Sequence, residues 1–279
     1  MSTLPRQSAA FWFTSTFLPA PLAIGFLGPL QGLTLWQSLL AIIPAVLLGS
    51  LVPYRRTTSG ILLFPVALVL HALHLDLLSR ITRHLLPGQS INWQLLALTL
   101  AASLAFVGPR LLYRAQAWLA APLILAFALL TLGALLLLEV DTAQRQPGFT
   151  WSAFGSLGAM AALWQIALTP LASKGTPHYL GLALPALWLM SLGALMASAI
   201  PAVDSVVSLR LVGERTIPGL GSAAVLLLAL AMVGAMAVHC HAQLVAITAA
   251  SGKTKARVLL LAGLLLLVVL WNPLHFSLY

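Results

Sequence analysis

Long apolar stretches separated by short connections run through this chain, and they limit it to one class of fold. A hydrocarbon layer of about 30 Å takes about 20 helical residues to cross. Nine stretches approach that length, at about residues 10–30, 33–52, 60–78, 93–107, 115–138, 154–171, 180–200, 222–250 and 258–271. Of the 279 residues, 61% are hydrophobic and 7% charged, against about 25% charged in a soluble domain. Water is excluded as the main solvent. Backbone groups in lipid must bond to one another, which runs of this length achieve as helices. The expectation is an all-α polytopic membrane protein of about nine transmembrane helices, one integral membrane domain over residues 1–279. Met1 to Ala10 reads as the approach to the first span rather than as a signal peptide, since no small-residue cleavage site and polar mature segment follow.

Charge distribution sets the expected orientation. Lys and Arg collect on the cytoplasmic side of short loops. With the N-terminus inside, that side holds Arg6, Arg55, Arg56, Arg110, Arg114, Lys174, Lys253, Lys255 and Arg257, nine of the 14 basic residues. Arg80, Arg83, Arg145, Arg210 and Arg215 share the opposite side with Glu139, Asp141, Asp204 and Glu214, four of the five acids. An inner membrane with the N-terminus in the cytoplasm is therefore expected. The formal charge of +9 is scattered along the chain, so no patch follows a phosphate backbone and nucleic acid is not a partner. One cysteine, Cys240, excludes a disulfide framework and a Cys-based zinc site.

Two spans carry helix breakers. The first contains Pro19, Pro21, Gly25, Gly28 and Pro29; the sixth contains Gly155, Gly158 and Pro170, followed by Gly175 and Pro177. Interrupted spans at corresponding positions of two halves point to an inverted-repeat transporter with a midplane site, although Gly and Pro are frequent in membrane helices generally. The first repeat would cover about residues 10–138 and a shortened second about 154–271.

Three segments then suggest a family. GPLQGLTLWQSLLAIIPAVLLGSLV resembles the junction of the first two helices in the nucleobase and cation symporters, the cytosine, purine, uracil, thiamine and allantoin permeases. INWQLLALTLAASLAFVGPRLLYRAQAWLAAPLILAFALL is similar to their fourth and fifth helices, with the Ala-Pro step at Ala121 and Pro122, and GFTWSAFGSLGAMAALWQIALTPLASKGTP stands where their sixth should be. The resemblance implies a LeuT-type inverted repeat, here incomplete at the C-terminus because the chain stops before a tenth helix. It also implies a substrate held between helices one, three, six and eight by alternating access. The family's Asp-aromatic-Ser-Arg-aromatic signature stands here as Pro170-Leu171-Ala172-Ser173-Lys174, and Ala231, Met232, Val233, Gly234 and Ala235 offer no hydroxyl for sodium. A proton is then the expected coupling ion rather than sodium.

Ionisable and amide groups inside spans are costly and mark candidate sites. His71 and His74 share a face of the third span, while Asp76 lies about 200° round from His74 and four residues before Arg80, a local ion pair. The two imidazoles suit either hydrogen bonds to a planar heterocycle and proton coupling or simple interhelical packing. His239 and Gln243, at i and i+4 of the eighth span, share a face from which His241 points away. Three such groups on one helix cannot converge on an ion, so no metal and no cofactor are expected. Trp164 and Gln165 could stack on and hydrogen-bond a flat ring, and Gly25 and Gly158 would present backbone to it. Trp12, Trp36, Trp93, Trp151 and Trp271 near span ends read as interfacial belts.

No catalytic constellation can be assembled, so an enzyme is not expected. The leading expectation is a permease for a small planar N-heterocycle, of nucleobase or pyrimidine type. The alternative is a non-transporting membrane subunit that packs its degenerate scaffold against a protein partner or a second copy of itself.

Overall fold

The computed structural model describes residues 9–51, 60–85, 88–138, 149–168, 178–200 and 204–276. In chain order the helices are α1 (Ala9–Thr16), α2 (Pro19–Leu30), α3 (Leu35–Ser50), α4 (Gly60–Leu85), α5 (Ser90–Val107) and α6 (Pro109–Leu137). They continue with α7 (Trp151–Leu168), a π-helical turn at His178–Ala183, α8 (Leu184–Ala199), α9 (Ser205–Thr216), α10 (Leu220–Ser251) and α11 (Lys253–Phe276). No strand occurs among the described residues. By length and composition, five of these helices can cross a membrane, or six if α1 and α2, bent by 52° at their junction, form one broken span. The protein is an all-helical polytopic membrane protein. Arg6, Arg55, Arg56, Glu139, Asp141, Arg145, Lys174 and the Pro170, Gly175 and Pro177 breakers lie outside the described residues.

The helices fall into two compact units. Unit 1 contains α4, α5, the start of α6 to Ala115, α10 from Met232 onward, and α11. Unit 2 contains α1, α2, α3, α7, α8 and α9, with α6 from Gln116 and α10 up to Ala231.

In unit 2 the first break comes earlier than expected. Leu18 is extended, with φ −123° and ψ 156°, and Pro19 opens α2. Proline fits there because a first-turn N–H is unbonded anyway. Gly25 is therefore helical, not unwound. What Gly25 supplies is close approach: a Cβ would strike the Met190 carbonyl of α8, and one on Gly193 would strike the Leu22 carbonyl of α2. Small residues on both helices let the backbones touch, the usual basis of membrane helix pairing. Gly158 is corrected in the same way, since α7 runs unbroken from Trp151 to Leu168. A Cβ there would meet the Ala41 carbonyl of α3 at an ordinary 3.5 Å. Gly158 keeps its place in an unbroken helix, whereas the Gly25 carbonyl lies one turn before Pro29, which has no N–H to give it.

Proline also shapes the entry to α8. Pro185 lacks the N–H that would bond the Gly181 carbonyl one turn back, and the Thr16 hydroxyl donates to that oxygen at 2.6 Å. Around this point Phe17 packs edge-on against Phe127 and Trp188, with ring centroids 4.7 and 5.7 Å apart, and Trp188 Nε1 donates to Thr131 Oγ1 at 2.9 Å. Trp12 belongs to this interior, at 2% exposure; the belt expected at the headgroups does not include it, whereas Trp36 and Trp151 are exposed.

The segment around Asp204 to Arg215, expected as a loop, is the polar helix α9. The Asp204 carboxylate accepts the Val206 and Val207 amides at 2.8 and 3.1 Å as an N-cap. Val206, Leu209 and Val212 then form a buried stripe at three-residue spacing. That pattern was present in the sequence but short.

Candidate functional site

Unit 1 is organised around the facing surfaces of α4 and α10. Its core joins Leu75 of α4 to Met236, Ala237 and Cys240 of α10, with Leu98, Ala101, Ala102 and Ala105 of α5 and Leu260 and Leu264 of α11. The alanines allow close helix approach. Amide and imidazole side chains pin the arrangement: Gln94 Nε2 donates to the Leu75 carbonyl at 3.1 Å, and His241 Nδ1 lies 3.4 Å from the Ala105 carbonyl. His241 is thus turned to α5, as expected. Asp76 and Arg80 form the expected pair at 3.1 Å.

Into this setting α4 brings His71 and His74, one turn apart, and α10 brings His239 and Gln243. All four are buried, at 0, 1, 2 and 2% exposure. The His239 ring lies 5.7 Å from His71 and 5.5 Å from His74, centroid to centroid. One ring nitrogen from each of the three histidines lies within 4.8 Å of the other two. Cys240 Sγ is 3.7 Å from His71 Nε2, and Gln243 approaches His71. The four candidates on α4 and α10 are therefore brought together, a convergence that spacing along either helix could not show. The spacing on α10 alone admits no ion; α4 supplies the missing imidazoles.

The polar atoms of this cluster are poorly satisfied. His71 Nδ1, both ring nitrogens of His74, His239 Nδ1 and both amide atoms of Gln243 are buried without a hydrogen bond of good geometry. An unmet buried polar group costs about 1–3 kcal/mol, and a native fold holds few. Chemically, the cluster offers imidazole and amide lone pairs and N–H donors and, among the described residues, no carboxylate.

The other four candidates fall in unit 2. Gly25 serves the close packing of α2 on α8, and Gly158 lies within the unbroken α7. Trp164 and Gln165 are buried on α7 at 6 and 1% exposure. Gln165 Nε2 reaches the Leu182 carbonyl at 3.4 Å in the π-helical turn, while Trp164 Nε1 and Gln165 Oε1 have no partner. Gln165 thus ties α7 to the π-helical turn. Cys240 is the functional candidate that sequence reasoning set aside, its one signal being its place between His239 and His241.

Comparison with protein-family models, with curated proteins and with solved structures finds no match. The resemblance to nucleobase and cation symporters rests on the segments quoted above alone.

Proposed function

We propose that this chain is a permease-type protein of an inner membrane, with nine spans and its N-terminus in the cytoplasm, that takes a small ligand at His71, His74, His239 and Gln243. The observation that carries this reading is the concentration of unmet buried polar atoms on those four side chains. Apolar residues of similar volume would pack there at no polar cost, and polar groups inside membranes mark ligand and ion pathways. The loop charges support the orientation. Movement of the ligand between the two sides would proceed by alternating access, with protons rather than sodium as the coupling ion. The symporter resemblance offers a small planar N-heterocycle as ligand, and the Gln243 amide with its unused donor and acceptor favours such an edge.

Reconstituted into vesicles, the protein should take up radiolabelled ligand from a panel of nucleobases, hydantoins and metal ions. His74→Leu should abolish uptake while the protein still purifies as a folded monodisperse species. Wild-type uptake that survives in His74→Leu and His239→Leu would end this reading. Absence of any uptake, with a polypeptide co-purifying at fixed stoichiometry, would replace it with the membrane-subunit alternative.

A further inference from the structure

Resting on the reading of this cluster as the ligand site, we propose that its occupant is a soft monovalent metal ion, Cu(I) in chemistry, coordinated by His71, His74 and His239 with Cys240 beside them. Three independent features point to an ion. The first is convergence: three ring nitrogens from two helices already lie within 4.8 Å of one another. Metal–imidazole bonds of about 2.0 Å hold such nitrogens roughly 3.5 Å apart, a closure that small ring rotations supply. The second is space. With ring centroids 5.5 and 5.7 Å apart, no heterocycle stacks between two of the imidazoles, which would take about 7 Å at ordinary contact distances of 3.5 Å; a heterocycle meets the cluster only by an edge, whereas an ion fits among the rings. The third is under-used lone pairs: each of the three rings has a buried nitrogen without a hydrogen bond of good geometry.

Charge selects the ion. An imidazole ligand brings no negative charge, all three rings are buried, and among the described residues the cluster contains no acid; Asp76 is engaged with Arg80. The cost of bringing an ion out of water grows with the square of its charge, so a dication is disfavoured about four-fold more than a monocation where no anion compensates it. Imidazole suits copper and zinc alike, so the missing anion decides for the monocation, Cu(I). Cys240 Sγ stands 3.7 Å from His71 Nε2; in the tautomer whose Nε2–H faces that sulfur, the free lone pair of His71 is on Nδ1. A partner on the far nitrogen that sets the coordinating one is the usual arrangement of a metal-bound histidine. Binding requires no redox step.

The test uses the full chain in detergent micelles, titrated anaerobically with Cu(I) against a chromogenic Cu(I) chelator, with Zn(II) and a nucleobase panel in parallel. One Cu(I) per chain is expected, with three nitrogen scatterers at about 2.0 Å by X-ray absorption. His71→Ala and His239→Ala should each weaken binding by about 100-fold or more and Cys240→Ala by about 10-fold, the range seen when coordination and its support are removed. His241→Ala should bind as wild type does. Should His71→Ala fail to fold, Cys240→Ala and His241→Ala still decide the matter. Cu(I) binding unaffected by the His71, His239 and Cys240 substitutions, or tighter binding of Zn(II) than of Cu(I), would overturn the assignment. If no metal binds but a nucleobase raises the melting temperature in a His74-dependent way, the ion falls and the ligand site stands. If neither acts on the wild type, both fall.

Discussion

Replacing His74 by leucine separates a ligand site from an ordinary core histidine, because the two give opposite signs. His74 is 1% exposed, and both of its ring nitrogens lack a hydrogen bond of good geometry. If the fold tolerates them only for the sake of a ligand, the ligand-free protein bears their cost. Each unmet buried group is worth about 1–3 kcal/mol, but unfolded membrane segments also find partners, which brought measured interhelical hydrogen bonds down to about 0.6 kcal/mol on average. Taking the lower end for two nitrogens, and subtracting a loss of fit for the change of shape of up to about 1.5 kcal/mol, leucine should stabilise the ligand-free chain by about 0.5–2 kcal/mol. The assay is reversible SDS unfolding in mixed micelles, metal-stripped, comparing the midpoints of wild type and His74→Leu. Cu(I) should then raise the wild-type midpoint and leave that of the variant unmoved. Destabilisation of the ligand-free His74→Leu by more than about 1 kcal/mol, the cost of a lost satisfied hydrogen bond, would refute the reasoning, because it would mean that the imidazole is part of a satisfied core.

Three further outcomes are expected. Thr16→Val removes the hydroxyl that serves the Gly181 carbonyl and should cost about 1–2 kcal/mol. In a Pro185→Ala background, where the restored N–H can bond that carbonyl, the same substitution should cost less than half as much; equal costs in a double-mutant cycle by SDS unfolding would disprove the link. Gly193→Val should destabilise unit 2 by more than about 2 kcal/mol, since its side chain collides with the Leu22 carbonyl backbone, whereas Gly155→Ala, with open space around it, should be neutral in the same assay. Glu214, outside the spans, accepts the Gly219 and Ser222 amides and the Ser222 hydroxyl at the start of α10. The Gly219 N–H first, then Ser222, hold its carboxyl below the usual glutamate range. A lowered folded value means its stabilisation is complete above the unfolded pKa and lost as pH falls through the folded one. The melting difference between wild type and Glu214→Gln should therefore be constant at neutral pH and vanish in acid; a difference independent of pH would show that the carboxylate charge is irrelevant.

What could be read in advance followed the physics of each level. The apolar run lengths dictated helices and a membrane, because hydrocarbon leaves the backbone no other partner; α5, α6, α7 and α10 lie close to where those runs predicted them. The ion pair of Asp76 with Arg80 and the diverging directions of His239 and His241 were equally legible, being set by 3.6 residues per turn within a single helix. The reading of Gly25 and Gly158 as unwound failed because glycine in a sequence signals permissiveness, and the neighbour decides its use: at Gly25 the α8 backbone presses in, and at Gly158 the helix simply continues. Trp12 was misplaced for the same reason, an interior aromatic cluster having claimed a residue whose position near a span end suggested an interface.

The sequence alone determined that this chain lives in lipid as helices and which few polar side chains it buries there, since burial of each must be justified locally. Only the tertiary structure decided that His71 and His74, some 165 residues before His239 in the chain, meet it at 5.5–5.7 Å. That pairing arises from a shared core between helices distant in sequence, and no periodicity within one helix encodes which other helix it will face.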